Sequence, residues 1–405
     1  MMEKEELAVK ALQTGKGIFR LAPTWVPRAF CRPGKRIKLH PDDYYALGAE
    51  RGGIDERWFA STTWAENGEG TPEDEGMSYI VVDQEGKEKI LLKEAIDILG
   101  AEIVGDYLWE KYRGWPMFSK FFDNAGPLPH HIHHREEHAA RVGASGKPEM
   151  YFFPSQVNNH GGEFPFTFFG FNPETEKEEV LDVLKNFTKG DNNILGLSRA
   201  YKLELDTGFD VPPGVMHAPG SLCTYEPQFA SDVYAMYQSV LLNGQVIGED
   251  LLWKNTPEEE VGNYEYLLDV IDWPENADAD FHKKHYMRPK PVRVVEDMLS
   301  QGYLEEWICY KCSTVSAKRL TVFPGQKVVI KDAAAYGIIC LEGHGSFGQW
   351  KLETPALIHL GELTNDEFFV TERAAKEGVE IINESTTENI VILKHFAENP
   401  ELVME

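Results

Sequence analysis

Along most of the chain, apolar and polar residues alternate in short runs, and glycine or proline closes nearly every run. A period of two sends successive side chains to opposite faces, the mark of half-buried strands. MSYIVVDQ, residues 77–84, predicts a strand, followed by a turn at Glu85 and Gly86 and a helix that stops at Gly100. Glu102–Arg113 predicts a second short helix. MFSKFFDNAGPLPHHIHH at 117–134 and MYFFP at 150–154 predict further strands. The clearest helical period lies in PETEKEEVLDVLKNFTKG, residues 173–190. There Val180, Leu181, Leu184 and Phe187 share a face, Thr175 is the expected N-cap and Gly190 the stop.

Residues 248–291 differ in character. They hold acidic runs, Trp253 and Trp273, and a basic tail KKHYMRPKP. We read them as a connecting segment packed on the surface between two halves. From Val292 to His395 short strands return, as in KRLTVFPGQKVVI and AYGIICLEGHGSFG. Regular short strands with turn signals indicate a sandwich or barrel. The expectation is a mainly β chain of two barrels, with helices added to the first.

Composition narrows the partners. The 405 residues are 42% apolar and 26% charged, enough for a sizeable core. The formal net charge of -26 argues against nucleic acid or an anionic membrane. No apolar run reaches the roughly 20 residues of a membrane span. The opening MMEKEELAVKALQTGK lacks an apolar signal core. Five cysteines (31, 223, 309, 312 and 340) are too few for a disulfide scaffold, so a reducing compartment, the cytoplasm, is expected. Cys309 and Cys312 form one CxxC with no second pair at zinc-ribbon spacing, and read as ordinary thiols.

Candidate chemistry gathers in PLPHHIHHREEH, which holds five of the thirteen histidines. On a strand, His131 and His133 point one way and Ile132 the other, and two converging imidazoles suit a divalent metal. His130 and His134 face oppositely. The pair alone is a weak signal and is also consistent with surface histidines in a polar loop. Further on, Glu149 opens an apolar strand in GKPEMYFF, and Pro212, Gly214 and His217 form P-x-G-x-x-H in DTGFDVPPGVMHAPG. His217 alone reads as a hydrogen-bonded strand end; three elements in this order argue for a shared site.

HxH, a glutamate opening a strand, then PxGxxH resembles the cupin superfamily. Within it the chain resembles class I mannose-6-phosphate isomerases. HIHHR, GKPEMYF and PPGVMHA stand where that family has Q-V-H-P-D, G-K-x-E-M-W-Y and P-A-G-x-x-H-A. DERWFAS resembles its G-E-x-W segment, WPMFSKFFDNAGPLPHHIHH its P-L-L-x-K-x-x-D segment, and EPQFASDVY its E-x-Q-x-x-S-D-x-x-Y. LTNDEFFVTE matches a second-barrel turn that lacks metal residues. The resemblance implies a bicupin of two double-stranded β-helix (jelly-roll) barrels. Residues 1–247 would form a metal-binding cupin with a helical insertion at about 172–190. Residues 248–291 would connect it to a metal-free barrel at 292–405.

Carried over by position, the metal ligands are His131 (glutamine in the family), His133, Glu149 and His217. Glu137, four residues after His133, competes with Glu149. One divalent ion is implied, zinc by resemblance, with Fe²⁺, Mn²⁺ or Co²⁺ of similar donor chemistry. The implied activity is aldose–ketose isomerisation of a sugar or sugar phosphate through a cis-enediol. Lys147 shares a face with Glu149 and is placed to bind a substrate oxygen or shuttle a proton. Glu226 and Asp232 are further acid–base candidates. Pro129 and Ala235 replace a serine and an arginine of the family's phosphate-binding region. The alternatives are an iron-dependent cupin oxygenase and a non-catalytic sugar-binding bicupin.

Overall fold

The structure, a computed structural model, describes residues 2–83, 85–158 and 164–403. Four larger antiparallel sheets carry the fold. In the first half a seven-stranded sheet runs in the spatial order Tyr286–Met287, Gly208–Val211, Glu149–Phe152, Thr224–Phe229, Met117–Phe122, Gly53–Phe59, Thr24–Arg28. It is accompanied by five strands in the order Ser198–Lys202, Phe166–Phe171, His217–Ala218, His131–Ile132, Ala235–Met236. In the second half, another seven-stranded sheet is accompanied by four strands. At one edge of that larger sheet lies Ile18–Arg20, paired antiparallel with Glu367–Val370. The two ends of the chain are thus stitched into one sheet.

Alternation along the strands divides the interior. Phe121, Met150 and Tyr225 face the second half and share a core with Phe369 and Leu393. Their neighbours Lys120, Glu149 and Glu226 are buried as well, on the other face of the same sheet. Leu320, Ile338, Phe368 and Ile392 form a separate core inside the second half. The halves are also joined by polar contacts. Arg57 donates to Asp366 at 2.8 and 2.9 Å. The hydroxyls of Ser119 and Tyr225 meet His395 Nδ1 at 2.8 and 2.9 Å.

The outer face of the five-stranded sheet is covered by helices. Helix Lys177–Lys185 buries Val180 and Leu184 there. Its N-cap is Glu176, one residue beyond the expected Thr175, because Glu176 and Glu179 form a reciprocal capping box. The helix expected at 102–113 is two short ones, Ala101–Val104 and Asp106–Tyr112. The break is at Gly105, whose φ of 88° suits glycine and whose missing Cβ would strike Glu372. Gln84, last in the predicted strand at 77–84, lies outside the described residues; the strand itself is Tyr79–Val81.

Residues 248–291 do more than connect. They form helices Glu249–Leu252, Tyr264–Val270, Trp273–Asn276 and Phe281–His285. Leu252, Leu267 and Phe281 from this stretch are fully buried in the first half. Among the described residues no helix is long and apolar enough to cross a membrane. All five cysteines are unbonded.

Candidate metal centre

Between the two sheets of the first half, four side chains named from the sequence come together. His131 and His217 are directly opposite each other on paired strands. Their rings lie 4.1 Å apart, and His133 stands 5.1 and 5.0 Å from the two. Each imidazole offers a ligand atom, and these atoms all lie within 4.8 Å of one another. From the facing sheet, Glu149 brings Oε2 to 3.1 Å from His133 Nε2 and Oε1 to 3.2 Å from His217 Nε2.

Backbone carbonyls fix the tautomers. Nδ1 of His131, His133 and His217 donates to Pro129, Val233 and Val215 oxygens at 2.8, 2.7 and 2.8 Å. A carbonyl only accepts, so each Nδ1 carries the proton and each Nε2 turns a lone pair inward. No hydrogen bond reaches Glu149 Oε1 or Oε2, or His217 Nε2, and all three atoms are buried. The Lys147 ammonium stands 3.0 Å from Glu149 Oε2 and 3.2 Å from His133 Nε2.

Burial keeps His131 well below the usual imidazole range, helped by its two ring neighbours. Burial and Lys147 hold His133 down at about 4. Burial favours a protonated Glu149, but the Lys147 ammonium outweighs it and the carboxylate stays ionised. Lone pairs of neutral imidazoles therefore face a carboxylate in a dry cleft. The Lys147 ammonium offsets part of the repulsion among these donors, and a divalent cation between them would offset the rest. Three imidazoles and a carboxylate are the donor set of a divalent transition ion, and carbonyls holding each Nδ1 are the usual outer support. The residues fit such an ion.

The turn that presents His217 is held from outside its own strand. Gly214 adopts φ 85°, and a Cβ there would come within 3.0 Å of Arg135 and Asp272 carbons. Asn276, fully buried, accepts from Met216 N at 2.7 Å and donates to Gly214 O at 2.7 Å. This residue comes from the stretch expected only to connect. Glu137 is exposed on the surface and pairs with Arg135 at 3.1 Å. His130 and His134 are buried on other faces, and burial lowers them to about 4 and about 3.

The remaining candidates line the same cavity, about 40 Å³ in volume. Glu226 lies 3.4 Å from both Lys147 and Lys120, and burial with the charge of Glu149 pushes it up to about 8. Asp232 accepts from Arg28 Nη2 at 3.1 Å and Nη1 at 3.3 Å. Arg28, Glu56 and Lys120 were not picked out as site residues. Lys120 was signalled by its position inside the apolar run MFSKFF, where a lysine is rarely buried without partners. Glu56 stands at the glutamate of the E-x-W in DERWFAS, whereas Arg28 gave no comparable local signal. Two roomier clefts, about 420 and 670 Å³, lie beside Tyr107 and beside Trp273, and neither holds the imidazole cluster.

No protein-family model matches the sequence, and no curated protein matches it. The fold, however, matches that of solved mannose 6-phosphate isomerases. A proposed mannosephosphate isomerase from Archaeoglobus fulgidus aligns at TM-score 0.61 and 14% identity, over 94% of this chain and 97% of its own. Mannose 6-phosphate isomerase from Bacillus subtilis aligns at 0.60 and 14%, over 94% and 99%. A zinc-bound mannose 6-phosphate isomerase aligns at 0.58 and 11%, over 94% and 100%. At such identity the likeness is one of fold.

Proposed function

We propose that this chain is a metal-dependent aldose–ketose isomerase working in the manner of the enzymes whose fold it shares. One observation carries the reading: His131, His133 and His217 gather their ligand atoms within 4.8 Å of one another in a buried cleft, and the Glu149 carboxylate lies 3.1 and 3.2 Å from two of those rings. We assign these four as the ligands and zinc as the ion, with Fe²⁺, Mn²⁺ and Co²⁺ compatible with the same donors. Glu137, exposed and paired with Arg135, is left out.

A divalent ion bound there would supply a Lewis acid for the sugar carbonyl. The chain's own groups handle the protons. Isomerisation moves a proton between C1 and C2 through a cis-enediol, so one group shuttles at carbon and another serves the oxygens. Glu226 holds its proton near neutral pH and suits donation to a substrate oxygen. Lys147, in contact with Glu149 and Glu226, is placed to bind a second oxygen or to shuttle. Asp232, tied to Arg28 through both oxygens, acts as a positioning residue. A pyranose is several times larger than the 40 Å³ cavity, so its entry must part the side chains over the site.

We read the two sheet pairs as two cupin barrels, from residues 1–247 and 292–405, joined by 248–291. Ile18–Arg20 is lent by the first to the edge of the second. We place the protein in the cytoplasm, acting on a small sugar or sugar phosphate and on neither nucleic acid nor membrane. The test is metal content together with deuterium uptake from D₂O into a panel of aldoses. Zinc with uptake at C2 and no oxygen consumption supports the isomerase. Iron with sugar-dependent oxygen consumption refutes it in favour of an oxygenase, and tight sugar binding without uptake refutes it in favour of a non-catalytic binder.

A further inference from the structure

We infer that the substrate is an unphosphorylated aldose, and that Asp232 sets this preference by neutralising Arg28. The inference rests on the isomerase reading and narrows it. A phosphate monoester brings a charge of about -1.5 to -2 at neutral pH and calls for cationic or backbone donors that have no stronger partner.

Among the described residues three cations face the cavity, and each is already engaged. Arg28 meets Asp232 at 3.1 Å and Glu56 at 3.3 Å. Lys120 meets Glu56 at 3.3 Å and Glu226 at 3.4 Å. Lys147 meets Glu149 at 3.0 Å and Glu226 at 3.4 Å. Four buried carboxyl groups thus surround three cations. A phosphate entering here must displace a carboxylate from its partner and leave that group buried and unpaired, which is costly in a dry site.

Pro129 and Ala235 add no side-chain donor. Pro129 has no N–H, and its carbonyl is taken by His131 Nδ1. Ala235 offers only a buried methyl group. Lys254, 4.6 Å over the Tyr234 ring, donates to the Glu66 carbonyl at 3.0 Å. Sugar hydroxyls are different guests. They accept from ammonium groups and donate to carboxylates, so they insert into such a network without adding net charge.

The test compares kcat/KM for deuterium uptake with free aldoses and with their 6-phosphates, in wild type and in Asp232→Asn. Asn keeps the size and the acceptor for Glu66 N, which reaches Asp232 Oδ2 at 3.3 Å, but drops the charge. The wild type is expected to prefer the free sugar by tenfold or more, and the variant to shift that ratio at least tenfold toward the ester. A second readout needs no turnover: inorganic phosphate is expected to raise the Tm of Asp232→Asn and leave the wild type unmoved. Preference of the wild type for esters overturns the inference and leaves the isomerase standing. Phosphate stabilising both proteins equally also overturns it. Uptake from neither class overturns the isomerase reading, and this one with it. The wild-type ratio alone decides the matter should the variant fail to fold.

Discussion

Replacing Asn276 with leucine is expected to weaken metal binding through His217 without touching a ligand. The amide accepts from Met216 N at 2.7 Å and donates to Gly214 O at 2.7 Å and Asp272 O at 2.6 Å. Two of those three groups keep another partner when the amide is removed. Gly214 O still accepts from Asp272 N at 2.9 Å, and Asp272 O from the residue 276 amide N–H at 2.9 Å. Met216 N–H is left bare, and a buried unpaired donor costs about 1–3 kcal/mol. With the two weakened carbonyls, the expected loss of stability is about 2–4 kcal/mol. Met216 is bonded to His217, so the ring loses its fixed direction. Loss of such outer support typically costs about 10–100-fold in metal affinity. Chelator competition at fixed pH measures the affinity, and urea midpoints of metal-loaded and metal-free protein measure the stability. Asn276→Asp, which retains the acceptor for Met216 N, is expected to be milder on both. The reasoning is refuted if Asn276→Leu lowers both midpoints equally while the chelator curve stays where it was.

Three further outcomes are expected. His133→Ala or His217→Ala should bring bound metal well below one equivalent per chain, and Glu149→Gln should loosen it while Glu137→Gln leaves it; full retention in the histidine variants, or the reverse glutamate pattern, removes the ligand set. Arg57→Met should cost about 3–5 kcal/mol in urea unfolding, because it strands Asp366 and Glu367 in the seam between the halves; a change under 1 kcal/mol would contradict that. His395, which burial pushes down to about 3, takes up its proton on unfolding at acid pH, so its contribution is intact above the ordinary imidazole pKa and is lost as pH falls from about 6.5 toward 3. Below pH 6, His395→Gln should therefore lose stability less steeply than wild type, by up to about 1.4 kcal/mol per pH unit, and parallel curves would count against the buried neutral ring.

What could be read in the sequence was local. Strand alternation alone sent His131 and His133 to one face and Ile132 to the other, and Ile132 does pack against the covering helices. Pro212–His217 and the Glu149 strand carried enough punctuation to be singled out before any contact was known. What escaped was long-range. Ile18 pairs with Val370, and no pattern within three residues of either announces the other. Arg28 meets Asp232 across 204 positions in sequence. Asn276 sat in a segment that composition marked as a connector, because polar residues that bond a distant backbone look the same in sequence as polar residues that face water. The Glu176 cap was missed for a smaller reason: threonine is the stronger capping residue in general, and the reciprocal bond from Glu179 reversed that order here.

One sheet explains why a site of this kind needs the second half of the chain. In Met117–Phe122, Glu149–Phe152 and Thr224–Phe229, alternate residues serve opposite tasks. Lys120 and Glu226 line the cavity and Glu149 meets His217, while Phe121, Met150 and Tyr225 pack against the other half. A close-packed apolar face against Phe369 and Leu393 gives these strands a stiff backing. Without the second half that apolar face would be exposed to water. The second half, which contributes no residue to the imidazole cluster, therefore holds the metal centre's geometry from behind.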